Sequence, residues 1–147
     1  HPHVAVLDGD EVQTLGNAYA HLVLRGANHS ANYSIAHLEE AKLNMEKHHI
    51  INPSVVIDVS HDNCLVNGKK DYRIQPNTVL SILKSLEQNP GLKTLVKGFM
   101  MESFIKPGNQ AIHASPIDLG GLSITDPCLG WEETEAFLLK LAKLRRG

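Results

Sequence analysis

Three side chains in this sequence have the chemistry of a metal site: His61, Glu102 and Asp126. One imidazole and two carboxylates brought to a common rim suit a borderline or hard divalent cation, and a catalytic ion needs a position left open for substrate or water. The three are widely separated along the chain and match no local metal motif. Each also has an ordinary role open to it: a loop histidine donating to a backbone carbonyl, a helix-capping carboxylate, a surface ion pair. Arg25 is the fourth candidate. A guanidinium followed by the flexible Gly26 can present a fork of donors to a phosphate or carboxylate, or it can pair with a neighbouring acid. Lys69, Lys70 and Arg73 either add positive potential over the same rim or form a solvated loop. The remaining histidines, His48 and His49 among them, show no ligand spacing and read as surface residues.

A parallel α/β order would bring these residues together. His21-Leu22-Val23-Leu24 is a short apolar strand that ends at Arg25. Ser34 then caps a helix carrying Leu38, Ala41 and Met45 on one side. Val55-Val56-Ile57-Asp58-Val59, after Pro53, is apolar enough to be buried on both faces, as parallel strands are, and Ser60 and His61 follow its end. The stretch from Ser60 to Arg73 reads as a polar loop. A helix is predicted from Gln75 to Gln88, with Pro76 in its first turn and Val79, Ile82, Leu83 and Leu86 as its stripe; Asn89-Pro90-Gly91 ends it. Leu95 through Met101 is the third strand, followed directly by Glu102. A long loop rich in Gly and Pro carries Asp126. The closing helix runs from Trp131 to Arg145, with Phe137, Leu138, Leu141 and Leu144 as its core face. Trp131 packs at its start, and Lys143, Arg145 and Arg146 suit its negative carboxyl end. Ahead of all this, Val4 to Leu7 and Glu11 to Thr14 flank an Asp-Gly turn, the signal of a β-hairpin. Strand followed by helix three times implies right-handed crossovers and a parallel sheet, whose carboxyl strand ends are where chemistry collects. Arg25, His61 and Glu102 all fall at such ends.

Composition narrows the function classes. The 147 residues, 42% hydrophobic and 20% charged, fit one globular domain with a sizeable core. Fourteen Lys and Arg against sixteen Asp and Glu leave a net charge of -2, which gives no general electrostatic case for nucleic acid or an acidic membrane. The apolar runs are far shorter than the ~20 residues of a membrane span. The amino end lacks the basic-then-apolar layout of a secretory signal; it begins His1-Pro2-His3 without a methionine, as a cut or incompletely recorded chain would. Cys64 and Cys128 sit in no Cys-x-x-Cys pair and read as two reduced thiols of a cytoplasmic protein, with a single bridge between them as the alternative that spacing leaves open. The length falls well short of a complete (β/α)8 barrel, which takes roughly 250 residues.

Several segments, taken in order, resemble the type I 3-deoxy-D-arabino-heptulosonate 7-phosphate (DAHP) synthases. They are His21-Leu22-Val23-Leu24-Arg25-Gly26, Asn32-Tyr33-Ser34, Ile57-Asp58-Val59-Ser60-His61, Lys70-Asp71-Tyr72-Arg73, Met101-Glu102-Ser103 and Gly108-Asn109-Gln110. Ser123 through Trp131 completes the set and is the most specific stretch. The resemblance covers essentially the whole chain but only the carboxyl-terminal part of the family's length. It implies an α/β fold that is part of a (β/α)8 TIM barrel: residues 19–147 as the last three βα units, with residues 1–18 as a β-hairpin extension. It implies a condensation of phosphoenolpyruvate with erythrose 4-phosphate to DAHP and phosphate, the first step of the shikimate pathway, in a homo-oligomeric enzyme. Family members use a divalent metal of the Mn, Fe, Co or Zn class, held by a cysteine, a histidine, a glutamate and an aspartate. The last three map onto His61, Glu102 and Asp126, and the family's phosphoenolpyruvate-binding arginine maps onto Arg25. His61 is also given a part in proton transfer.

Departures from the family pattern matter as well. The usual Arg-Gly-Gly is Arg25-Gly26-Ala27, which would restrict the loop backbone slightly. The loop between Ser60 and Lys70 is longer than in many relatives. The family's ligand cysteine and its Lys-Pro-Arg-Thr substrate loop would lie upstream of residue 1, and neither Cys64 nor Cys128 takes the cysteine's place. A second reading follows: a non-catalytic half-barrel that serves as a partner for a missing half, its raw sheet edges prone to association.

Overall fold

The computed structural model describes residues 2–146, with the side chains of Arg145 and Arg146 outside the description; the expectations for those two arginines fall outside it too. The chain opens with the expected hairpin, β1 (Val4–Leu7) against β2 (Asp10–Gln13). Asp8 and Gly9 take φ values of 53° and 92°, the pair of left-handed residues that a tight hairpin turn with the right twist requires.

A βα order then repeats. Strand β3 (Leu22–Leu24) leads to helix α1 (Ile35–Lys47), whose first turn is capped by Ser34, its hydroxyl accepting from the His37 N–H. Strand β4 (Val55–Asp58) follows. The stretch expected to be plain loop is instead tightly folded: a 3₁₀ turn His61–Cys64, a small hairpin of β5 (Leu65–Val66) and β6 (Lys69–Lys70), and a second 3₁₀ turn Tyr72–Ile74. Left-handed Asn67 and Gly68 make the hairpin's turn, so a run that lacks apolar periodicity still closes on local hydrogen bonds. Helix α2 (Gln75–Glu87) ends within a residue of expectation, but Pro90 starts a further short helix, α3 (Pro90–Lys93), rather than only stopping α2. Strand β7 (Val96–Met100) and helix α4 (Trp131–Arg146) complete the chain.

The sheet is parallel, in the order β3-β4-β7. Leu24 lies beside Ile57, Ile57 beside Phe99 and Asp58 beside Met100, so the carboxyl ends of all three strands finish at one level. The central strand is the most deeply placed: Val55 and Ile57 are fully buried, and Val59 just beyond it is too. Leu38 and Ala41 of α1, Val79, Ile82 and Leu86 of α2, and Phe137 of α4 close over it. Each such large side chain contributes about 1.5–3 kcal/mol by leaving water.

Helix α4 differs from expectation on its outer side. Phe137 is buried and Leu141 packs against the core, but Leu138 and Leu144 are 53% and 61% exposed. Trp131 is also mostly exposed. Leu138 lies off the Phe137–Leu141 row and faces outward, whereas Leu144 shares their face but sits one turn beyond the residues that reach the core.

Candidate metal centre

The His61 side chain is aimed by the end of β4. Asp58, 2% exposed, accepts the Ser60 N–H on Oδ1 at 2.9 Å, and its Oδ2 lies 2.7 Å from His61 Nδ1. Ser60 Oγ sits 2.9 Å from the same ring nitrogen. His61 takes φ 48°, a left-handed conformation that costs a non-glycine residue roughly 1–2 kcal/mol. That backbone turn folds the ring back over Asp58 and leaves Nε2 pointing away from it. Nε2 is 3.7 Å from Glu102 Oε1 and 3.5 Å from Asp126 Oδ2.

Buried Asn63 ties this turn to the neighbouring strand. Its Nδ2 donates to the Asp58 carbonyl at 2.7 Å and to the Leu24 carbonyl at 3.0 Å, while its Oδ1 accepts the Asn32 N–H at 2.8 Å. Asn32 Oδ1 accepts the Gly26 N–H in turn. Arg25, between Leu24 and Gly26, is thus held on the same rim as His61, exposed at the end of β3. Among the described residues its guanidinium has no hydrogen bond or ion pair. Gly26 has φ 80°, and a Cβ there would fall 2.4 Å from Asp62 Cβ, so only glycine lets the turn of His61 pack against the Arg25 loop. Ala27 is not among the left-handed residues and pairs with Ser30 through two backbone hydrogen bonds. The departure from Arg-Gly-Gly therefore carries no strain.

Glu102 is held by its backbone. Fully buried Gln75, at the start of α2, accepts the Glu102 N–H on Oε1 at 2.8 Å and donates from Nε2 to the Glu102 carbonyl at 3.3 Å. The loop after it doubles back. Ser103 bridges to Leu129, Gly108 to Cys128 and Asn109 to Ser123, which returns Asp126 to the side of Glu102. A neck closes the far part of this loop: Gln110 donates to the Asp118 carbonyl at 2.7 Å and accepts the Asp118 N–H at 2.8 Å. Asp126 Oδ1 carries the Lys70 ammonium in a close ion pair. Arg73 pairs with Asp71 through Nε and Nη2, one to each carboxylate oxygen, so of the three cations in this segment Lys70 is the one joined to the centre. Cys128 Sγ lies 3.9 Å from Glu102 Oε2 and 3.3 Å from the Asp126 carbonyl. Burial pushes the Cys64 and Cys128 thiols up, and the Glu102 and Asp126 carboxylates add to the rise at Cys128. Both cysteines are free and buried.

The structure thus brings His61, Glu102 and Asp126 together, each partly buried, with one ligand atom from each within 4.8 Å of the others. Donors at ~2.0–2.3 Å from a shared ion lie no more than about 4.6 Å apart, so small side-chain movements suffice to close the set. A carboxylate on the far nitrogen of the histidine is the outer support that metal-bound imidazoles use. The donor chemistry and the spacing both fit a divalent cation. Asp58, Asn63 and Gln75 are not among the candidates drawn from the sequence. Asp58 alone leaves a trace in the sequence: an acid at the end of an apolar strand, three residues before a histidine.

A sequence model of the DAHP synthetase I family matches residues 3–139. The chain belongs to this family. The Tyr-sensitive phospho-2-dehydro-3-deoxyheptonate aldolase of Salmonella typhimurium is 35% identical over 133 residues, which span 90% of this chain and 35% of that protein. The Phe-sensitive aldolase of Escherichia coli K12 is 36% identical over 139 residues, or 92% of this chain and 37% of its own. A phospho-2-dehydro-3-deoxyheptonate aldolase structure from Francisella tularensis SCHU S4 superposes with a TM-score of 0.72 at 31% identity, covering 97% of this chain and 40% of that one. The chain spans little more than a third of the length of these DAHP synthase relatives. No helix among the described residues is long and apolar enough to cross a membrane.

Proposed function

We propose that this chain supplies the metal-binding rim of a DAHP synthase, which condenses phosphoenolpyruvate with erythrose 4-phosphate to give DAHP and phosphate at the entry to the shikimate pathway. The observation that carries the reading is the convergence of His61 Nε2, Glu102 and Asp126 on one point in a chain of this family. Those three would hold a divalent ion of the Mn, Fe, Co or Zn class. When bound, such an ion supplies Lewis-acid polarisation for the aldehyde oxygen of erythrose 4-phosphate.

The chain's own residues have distinct tasks in this scheme. Arg25, exposed beside the centre, offers its fork of donors to the phosphate or carboxylate of phosphoenolpyruvate. The enol carbon of phosphoenolpyruvate attacks the aldehyde carbon, water adds at the former C2, and phosphate leaves. His61 can take a proton only on Nε2, since Asp58 and Ser60 engage Nδ1. Ligation and proton transfer therefore compete for one lone pair.

The partial barrel belongs to the same proposal. Strands β3 and β7 are the outer strands of the sheet, and in a closed (β/α)8 barrel each would pair with a further strand. Residues 19–147 read as the last three βα units, with residues 1–18 as an appended hairpin. The two free thiols accord with a cytoplasmic setting.

Those open edges also support the second reading, in which the 147-residue chain is inactive alone and associates, with itself or with a missing half. Leu22 and Met100 on the two outer strands are 39% and 46% exposed, and Val6 on the hairpin is 69% exposed. One set of measurements separates the readings. In the full-length protein, Glu102→Ala should cut metal-dependent consumption of phosphoenolpyruvate by more than about 100-fold, since even outer-shell losses cost 10–100-fold, while the melting temperature stays near that of the parent. Retained turnover would remove Glu102 from the centre. The 147-residue chain alone should show no turnover and should sediment as more than a monomer; a monomeric, active fragment would overturn the half-barrel reading.

A further inference from the structure

We propose that Asp58 is a positioning residue that fixes the tautomer of His61, holding the ring proton on Nδ1 so that the Nε2 lone pair faces Glu102 and Asp126. Its purpose rests on the metal reading above; its geometry stands without it.

Asp58 closes the central strand of the sheet and is 2% exposed, so its carboxylate must be compensated inside the protein. Oδ1 is satisfied by the Ser60 N–H at 2.9 Å. Oδ2 has His61 Nδ1 at 2.7 Å. An ionised carboxylate only accepts, so the hydrogen in that contact comes from the imidazole. In the opposite tautomer two lone pairs would face each other across 2.7 Å, and the proton on Nε2 would meet carboxylate oxygens only at 3.5 and 3.7 Å, beyond good hydrogen-bond range. The shorter contact decides the tautomer. Ser60 Oγ, 2.9 Å from Nδ1, shares the same hydrogen as a second acceptor.

The backbone is built for this contact. A side chain three residues along a strand would point away from Asp58; the turn at Val59-Ser60 and the left-handed φ of His61 bring it back. Asn63 then ties the Asp58 backbone carbonyl to that of Leu24, so the main chain that carries the carboxylate is fixed to β3 as well. Loss of an outer-shell partner of this kind lowers metal affinity about 10–100-fold.

The test is a long-range ¹H–¹⁵N correlation spectrum of the metal-free, full-length protein at about pH 8, above the ordinary imidazole range. Wild-type His61 should show the Nδ1–H pattern. Asp58→Ala should shift it toward the Nε2–H form that free histidine favours, and calorimetric titration with Mn²⁺ should show about 10–100-fold weaker binding with chemical-shift dispersion retained. An Nε2–H pattern in the wild type overturns the proposal even where Asp58→Ala does not fold. So does an unchanged tautomer together with unchanged Mn²⁺ affinity in a folded Asp58→Ala. A wild-type protein that shows the Nδ1–H pattern but takes up no Mn²⁺ upholds the role of Asp58 and overturns the metal reading instead.

Discussion

The ammonium of Lys70 rests on one carboxylate oxygen of Asp126, and the other oxygen of that group faces His61 Nε2 at 3.5 Å. Asp126 is therefore divided: the side toward β6 is neutralised by a fixed cation, and one oxygen remains for the centre. A carboxylate held this way donates through a single atom, which suits an ion of low coordination number.

Removing the cation should change both affinity and choice of ion. In Lys70→Met the second oxygen is released and a repelling charge is gone, so Mn²⁺ should bind about three- to tenfold more tightly at low ionic strength. Ca²⁺, which prefers bidentate carboxylates, should gain more than Mn²⁺. Near 1 M salt, where the Debye length is about 3 Å, the difference between variant and parent should shrink. Titration calorimetry at two salt concentrations reads all three; weaker Mn²⁺ binding in the variant would show that Lys70 aligns Asp126 more than it repels the ion.

Gly26 is the tightest point between the Arg25 loop and the turn that carries His61. Gly26→Ala would place a methyl 2.4 Å from Asp62 Cβ and 2.8 Å from the Asp62 carbonyl carbon, in a left-handed backbone that L residues resist. The left-handed conformation alone costs roughly 1–2 kcal/mol, and the clash adds to it. We expect a loss of at least ~2 kcal/mol in urea denaturation and, under the proposed DAHP synthase function, weaker binding of phosphoenolpyruvate in the full-length protein as Arg25 shifts. Ala27→Gly, one residue on, should change stability by less than about 1 kcal/mol.

The two thiols give a pH dependence with a definite sign. Both pKa values lie above the ordinary value of 9.0 because the folded protein buries the groups. The folded state thus holds these protons more tightly than the unfolded chain. The stability they contribute is fully present below pH 9 and declines as the pH rises through the folded values. Native protein at pH 8 should react slowly with a disulfide reagent at both Cys64 and Cys128, and fast once unfolded in urea. Rapid labelling of Cys128 in the native state would mean that the loop beside Glu102 opens readily.

Much of the fold was legible because its signals are periodic and local. The apolar run at Val55 to Val59, the Ser34 cap and the stripe of α2 each state their element within a residue or two, and the order of elements then dictates a parallel sheet. Leu138 and Leu144 of α4 differ from expectation because the sequence shows that a face is apolar, not how wide or how far along the helix there is a neighbour to meet. The trio at the centre was reachable from strand ends and family likeness. Its supports were not. Gln75 and Glu102 lie 27 residues apart and Asn63 and Leu24 lie 39 apart, and in both pairs a side chain serves another residue's backbone. Backbone groups are the same at every residue, so such partnerships leave no mark in residue type or spacing.

The doubled-back loop also has an engineering side. Its closing bonds end at the Gln110–Asp118 neck, and residues 111–117 hang beyond it, all but Ala114 exposed. The clasp that sets Asp126 beside Glu102 takes nothing from that tip. A fluorophore, an affinity peptide or a protease site grafted between Ile112 and Ser115 would therefore be carried outside the clasp, leaving Glu102 and Asp126 where they are.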